Sequence, residues 1–82
     1  MTTEYQPPYR QVDARGQKCP MPLLLAKRGL SDVPVGEVLE VLATDPGSER
    51  DFQSFERLGG HKVVTTCDEH GVFRHLITKA AQ

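Results

Sequence analysis

The residues of this chain best suited to chemistry stand together as Arg15-Gly16-Gln17-Lys18-Cys19-Pro20-Met21-Pro22. Here one of the two cysteines sits where a polar, glycine-containing loop meets the apolar run Leu23-Leu24-Leu25, with prolines on both sides of Met21. Proline suits the first turn of a helix, because the amides there have no intrahelical acceptor and the ring fixes φ near the helical value. Cys19 is therefore expected at a helix N-cap. A thiol so placed feels the positive end of the helix dipole, and Lys18 adds a full positive charge beside it. Both favour the thiolate, and the stiff first turn is expected to hold the sulfur outward. A cysteine that only fills space belongs in an apolar repeat, whereas Cys19 follows a polar run.

The other reactive residue types carry less. A Cys-x-x-Cys redox pair is excluded, since Pro22 stands where the second sulfur would be. His61, His70, His75 and Cys67 match no zinc spacing, so no metal and no cofactor is expected. Cys67 alternates with Val63 and Thr65 and reads as a strand-face packing residue. None of the histidines lies near Cys19 in sequence, so the base that a Cys-His hydrolase needs is not evident. Arg15 and Lys18 have two readings: guides for an acidic partner or an anion beside the sulfur, or merely solvated side chains.

The elements that must position Cys19 follow from periodicity. Tyr9 to Asp13 is expected as a first strand leading into the cysteine loop, with Tyr9, Gln11 and Asp13 on one face and Arg10, Val12 and Ala14 on the other. A helix over about Pro20 to Leu30 places Leu23, Ala26 and Leu30 on a core-facing stripe. Met21, Leu24 and Leu25 lie off that stripe, either as a docking patch beside Cys19 or packed under the N-terminal segment. Pro34 and Gly36 punctuate a turn. Val38 to Thr44 is then a strand with Leu39, Val41 and Ala43 toward the helices and Glu40 and Thr44 on a wetter face.

Asp45 is expected to cap a second helix with Pro46 at its first position, Ser48 and Asp51 offering a competing capping box. Phe52, Phe55 and Leu58 form its core stripe, and Gly59-Gly60 ends it. Two strands follow, about Lys62 to Asp68 and Val72 to Lys79, antiparallel because the turn at Glu69-His70-Gly71 is so short. The order β-α-β-α-β-β implies an α+β, two-layer sandwich with two helices on one face of a four-stranded mixed sheet. The other face is expected to be largely open. Glu40, Thr66, Asp68, Arg74 and Thr78 fit that expectation, and Val64 and Leu76 fit it less well.

Eighty-two residues make one domain with a small core. Residues 1–8 are expected as a loose, flexible N-terminal extension and residues 9–82 as the domain. Ten basic against eleven acidic residues provide no electrostatic case for nonspecific nucleic-acid binding, so proteins are the expected partners. No run approaches the length of a membrane span and Met1-Thr2-Thr3-Glu4-Tyr5 lacks the features of a signal peptide, which points to the cytoplasm and to reduced thiols.

The run Asp13-Ala14-Arg15-Gly16 followed by Cys19-Pro20-Met21-Pro22 resembles the Cys-Pro-x-Pro signature of the TusA/SirA family of small sulfur-carrier proteins. The resemblance extends through Thr44-Asp45-Pro46 and Arg74-His75-Leu76-Ile77-Thr78-Lys79, covering about Val12 to Lys79. It implies a sulfurtransferase-type carrier, monomeric, in which Cys19 accepts sulfane sulfur as a persulfide and turns over only with other proteins. The implied partners are a persulfide donor, a cysteine desulfurase or rhodanese-like protein, and an acceptor sulfurtransferase. Thiolation of tRNA, molybdenum-cofactor synthesis and sulfur oxidation are the destinations the family implies. Gly16, Lys18, Arg15, Pro20 and Pro22 become supporting residues, and Gln17, Met21 and Leu24 the candidates for partner docking. Two positions depart from the family's habit: Gln17 stands where a hydrophobic residue is frequent and Met21 where acidic residues are common. The alternative is a noncatalytic regulatory or interaction module, since the expected fold also resembles the RNA-contacting C-terminal domain of translation initiation factor three.

Overall fold

The computed structural model describes residues 7–81; residues 1–6 of the expected N-terminal extension lie outside the described residues. The chain runs β1 (Arg10–Ala14), α1 (Met21–Leu30), β2 (Val38–Ala43), α2 (Gly47–Gly59), β3 (Lys62–Cys67) and β4 (Phe73–Thr78). The strands form one mixed sheet in the order β1-β2-β4-β3, with β1 parallel to β2 and the other two pairings antiparallel. Consecutive β1 and β2 are parallel because a helical crossover, α1, joins them, whereas the tight turn between β3 and β4 allows only an antiparallel pair. Gly71 supplies that turn's left-handed residue at φ +80°.

Alternation divides the sheet into two faces. The rows Val12-Val41-His75-Thr65 and Ala14-Ala43-Phe73-Cys67 face the helices, as does Leu39-Ile77-Val63. The core joins Ala14, Leu39, Val41 and Ile77 from the sheet to Ala26 and Leu30 of α1 and Phe52 of α2, with Val33 from the turn after α1. Helix α1 lies close to the sheet because Gly29 has no side chain. A Cβ there would come within 3.0 Å of Val12 Cγ2 and 3.5 Å of both methyls of Leu39.

Several expectations are corrected. Helix α1 begins at Met21 with Pro20 as its N-cap, so Cys19 stands one residue outside the position expected for it. Likewise Pro46 is the N-cap of α2, and Asp45 caps from one residue further out, its Oδ2 accepting the Gly47 N–H at 3.0 Å. Leu58 is 88% exposed instead of continuing the Phe52-Phe55 stripe into the core. Steps of three residues alone drift by about 60° each around a helix, so by the second step the row has turned away from the sheet. Gly60, at φ +80°, ends α2 as expected, its N–H bonding the Glu56 carbonyl.

The open face is drier than its sequence suggests. Glu40 is only 3% exposed and Leu42 8%. Both lie on the central strand β2, where side chains of β1 and β4 close over them. Gln11 Nε2 donates to Glu40 Oε1 at 2.7 Å and Arg74 Nη1 donates to Glu40 Oε2, so the buried carboxylate is paired on both oxygens. Thr66, Asp68 and Arg74 are exposed as expected, and Val64 is exposed as well. Cys67 shares its face with Val63 and Thr65 but is exposed, because it ends an edge strand at the margin of the sheet. It is not a packing residue.

Candidate functional site

The loop from β1 into α1 is tied down by its backbone. Gln17 N–H returns to the Ala14 carbonyl at 3.2 Å, and the Gly16 N–H bonds Thr44 Oγ1, at the end of β2, at 2.9 Å. Gly16 takes φ +82°, a left-handed conformation in which any other residue would be strained. Pro22 is fully buried and anchors the first turn of α1, whereas Pro20 is exposed. Between these anchors Cys19 is an exposed free thiol. The outward presentation expected from the stiff turn is therefore present.

The neighbour of the sulfur is the start of α2. Gly47 lies against it: a Cβ there would sit in ordinary van der Waals contact with Cys19, 3.6 Å from its Cβ and 3.9 Å from Sγ, and only Asp45 Oδ2, at 3.0 Å, would be crowded. One turn on, Asp51 reaches back, and Cys19 Sγ donates to Asp51 Oδ2 at 2.7 Å. The expected capping box does not form. Ser48 and Asp51 instead use their side chains on His75 and Cys19.

This arrangement reverses the expected electrostatics. The Cys19 pKa is raised above the ordinary thiol value, first by the hydrogen bond to Asp51, then by desolvation and by the negative charges of Asp51 and Asp45, with Arg50 opposing. A helix end carries only about half a charge, whereas a carboxylate places a full one against the sulfur. The N-terminus of α1 is also depleted of donors: Pro20 and Pro22 have no N–H, and that of Met21 is spent on the Lys18 carbonyl at 2.8 Å. Lys18 is exposed, and the cation that opposes the two carboxylates at the thiol is Arg50.

The remaining supporting residues divide. Arg15 is occupied by Asp13, its Nε and Nη2 each donating to one carboxylate oxygen at 2.8 Å. That bonding holds Asp13 down at a pKa of about 2 and raises Arg15. Arg15 is therefore an ion-pair member rather than an unpartnered guide for an anion. Gln17 is exposed, and Met21 and Leu24 are 40% and 47% exposed, while Leu25 packs against the core. The exposed pair lies beside the cysteine loop, on α1.

Beneath the site, α2 is fastened to the sheet by His75, which is fully buried. Ser48 Oγ lies 3.1 Å from its Nε2 and Thr65 Oγ1 lies 2.8 Å from its Nδ1. Its ring stacks on Phe52 with centroids 4.0 Å apart and faces Phe73 at 6.0 Å. Desolvation lowers its pKa to about 4, so the ring is neutral near pH 7. The other histidines are elsewhere: His61 accepts the Ala80 N–H at 2.9 Å, and His70 sits exposed in the β3–β4 turn. Among the described residues no group of three or more His, Cys, Asp or Glu is placed to hold a metal ion.

Asp51 and the Ser48-His75-Thr65 cluster are what sequence reasoning missed. A signal existed, because the Asp45 cap and the Ser48-Asp51 capping box compete for one helix start, which frees the losing side chains for other partners. Nothing in the spacing, however, names Cys19 and His75 as their partners, which are 32 and 27 residues away.

The chain is 42% identical over 71 residues to the sulfur carrier protein TusA of Allochromatium vinosum, covering 87% of this chain and 93% of that one. It is 45% identical over 66 residues to a putative sulfur carrier protein of Neisseria meningitidis, covering 80% and 89%. The crystal structure of a SirA-like protein from Desulfitobacterium hafniense superimposes with a TM-score of 0.77 at 26% identity, over 88% of this chain and 99% of that one. Among the described residues no helix is long and apolar enough to cross a membrane. The family profile of Sulfurtransferase TusA matches residues 10–79, and with a match of that extent this chain belongs to the TusA family.

Proposed function

We propose that this chain is a sulfur carrier that receives sulfane sulfur on Cys19 as a persulfide and relays it to an acceptor protein. The observation that carries the reading is the exposed free thiol of Cys19, mounted between the starts of two helices in a chain of this family. In loading, the Cys19 sulfur, having lost its proton to solvent, attacks the terminal sulfur of a donor persulfide. The donor's S–S bond breaks, its electron pair leaves on the donor thiolate, and a new S–S bond forms at Cys19. In unloading, an acceptor thiolate attacks that terminal sulfur and Cys19 leaves. Each step exchanges one S–S bond for another, so no external oxidant or reductant is required.

Such a step needs an accessible sulfur on a fixed mount more than a substrate cleft. The donor is a cysteine desulfurase or a rhodanese-like protein and the acceptor a second sulfurtransferase. Gln17, Met21 and Leu24, exposed on the cysteine loop and on α1, are the surface on which they dock. Residues 9–82 act as one carrier domain, in a reducing compartment such as the cytoplasm, where free thiols persist. Whether the sulfur goes to tRNA, to the molybdenum cofactor or into sulfur oxidation is set by the acceptor.

The test is intact-mass measurement after incubation with a cysteine desulfurase and free cysteine. Wild type and Cys67→Ser should each gain one sulfur that reductant removes, and Cys19→Ser should gain none. Sulfur retained by Cys19→Ser, or absent from wild type while the desulfurase itself is loaded, rejects the carrier role.

A further inference from the structure

We propose that Asp51 is the residue that sets the reactivity of the carrier sulfur, holding Cys19 as a thiol in the free protein through the 2.7 Å contact between Oδ2 and Sγ. The inference rests on the carrier reading above for its purpose, but not for its physics. Ionising Cys19 would place two anions within that one contact, whereas the thiol donates a charge-assisted hydrogen bond to the carboxylate. The contact also orients the sulfur: by donating to Asp51 Oδ2, Sγ is directed at the first turns of α2 rather than left to rotate freely.

The charged groups facing the sulfur are Asp51 and Asp45, which oppose ionisation, and Arg50, which favours it. Asp45 is partly committed to capping Gly47, so Asp51 is the group in direct contact. A general-base role for Asp51 is disfavoured by magnitude. Carboxylates as a class titrate near pH ~4 and thiols near ~8.5, so transfer from one to the other runs uphill by several units and supplies little catalysis. A brake is the better description: it leaves the exposed thiol slow toward adventitious electrophiles and oxidants. Attack then requires the thiol proton to depart to solvent in spite of the carboxylate.

The experiment is the pH dependence of iodoacetamide alkylation, followed by intact mass, in a Cys67→Ser background so that one thiol is read. Asp51→Asn keeps the side chain's shape and a polar contact while removing its charge. Its alkylation midpoint should fall by about one pH unit or more relative to the parent. At pH 7 the thiolate fraction then rises about tenfold per unit, while intrinsic nucleophilicity falls about threefold, so the net rate rises about threefold. Asp45→Asn should move the midpoint less than Asp51→Asn, and Asp51→Glu should keep a midpoint on the parent's side of neutral Asn. An Asp51→Asn midpoint that stays in place or rises, with an unchanged circular dichroism spectrum, overturns the proposal. If Asp51→Asn does not fold, Asp51→Ala and Asp51→Ser are read in the same assay, with the same direction required. The assay involves no persulfide, so the two ideas fail separately. A shifted midpoint with no loading by the desulfurase rejects the carrier reading alone, and normal loading with an unshifted midpoint rejects only the role given to Asp51.

Discussion

Two polar clusters grow from the first turns of α2 and follow opposite rules. Ser48 and Asp51 are three residues apart, yet Ser48 turns inward to a histidine with no exposure and Asp51 turns outward to an exposed thiol. The inner cluster is neutral and complete. One ring nitrogen of neutral His75 donates and the other accepts, and hydroxyls of Ser48 and Thr65 can match either role. The outer cluster combines an anion with an ionisable group and stays at the surface, where water limits the desolvation cost of charge. The difference teaches that rigidity and reactivity are supplied separately. A satisfied neutral network pins the helix, and the pinned helix holds a charge against the sulfur.

The harshest way to break the inner cluster is His75→Ala. It removes the ring stacked on Phe52 and takes the histidine partner from the buried hydroxyl of Ser48 and the half-buried one of Thr65, and a loss of about 3 kcal/mol is expected, most of it from the cavity and the Ser48 hydroxyl. Urea unfolding measures it, and a loss under about 1 kcal/mol would mean that the cluster does not pin α2.

Acid attacks the same cluster without mutation. Above pH 6.5 His75 is neutral in both folded and unfolded chains; below it the unfolded chain takes up a proton that the folded chain refuses until about pH 4. Stability therefore falls as pH drops through this window, by about 2 kcal/mol between pH 7 and pH 5 at 1.36 kcal/mol per unit. Asp13, with its pKa of about 2, stays ionised over that range and does not obscure the effect. Equal urea midpoints at pH 7 and pH 5 would remove the desolvated histidine from the account.

Ser48→Ala is gentler, because one bond is lost while the ring keeps Thr65. A cost of about 1 to 2 kcal/mol is expected, with the Cys19 alkylation rate changed as well if the pinned helix positions Asp51. The smallest effect sharpens the contrast from the other side: Asp51→Asn should leave the urea midpoint where it is while moving the reactivity of the thiol. A substitution at Asp51 that unfolds the protein, or one at Ser48 that alters reactivity alone, would erase the division between the two clusters.

The architecture was legible from periodicity because each element carries a local signal. Examples are the alternation of Val38 to Ala43, the prolines flanking Met21 and the Gly60 that ends α2. What failed was the continuation of local patterns past the point where neighbours decide. Leu58 extends a stripe that has rotated off the sheet, Glu40 alternates like a surface residue but is covered by Gln11 and Arg74, and Cys67 alternates like a core residue but ends an edge strand. Of the candidate site, the exposure of Cys19 followed from its loop and prolines, although Pro20 and not Cys19 is the N-cap. The sign of its electrostatics did not, because the carboxylate that decides it is 32 residues away in the chain.

The amino-acid sequence by itself determined which elements form, in what order, and that one sulfur stands outside the core at the entrance to a helix. These depend on neighbours within a few residues, where backbone propensity and side-chain spacing act. Only the tertiary structure decided that Asp51 meets that sulfur and that Ser48 meets His75. Long-range contacts are set by how far each helix rotates and how closely it approaches the sheet, and those follow from packing across the whole core. A carboxylate at hydrogen-bonding distance then outweighs the weaker local fields that the chain's own order places beside the thiol.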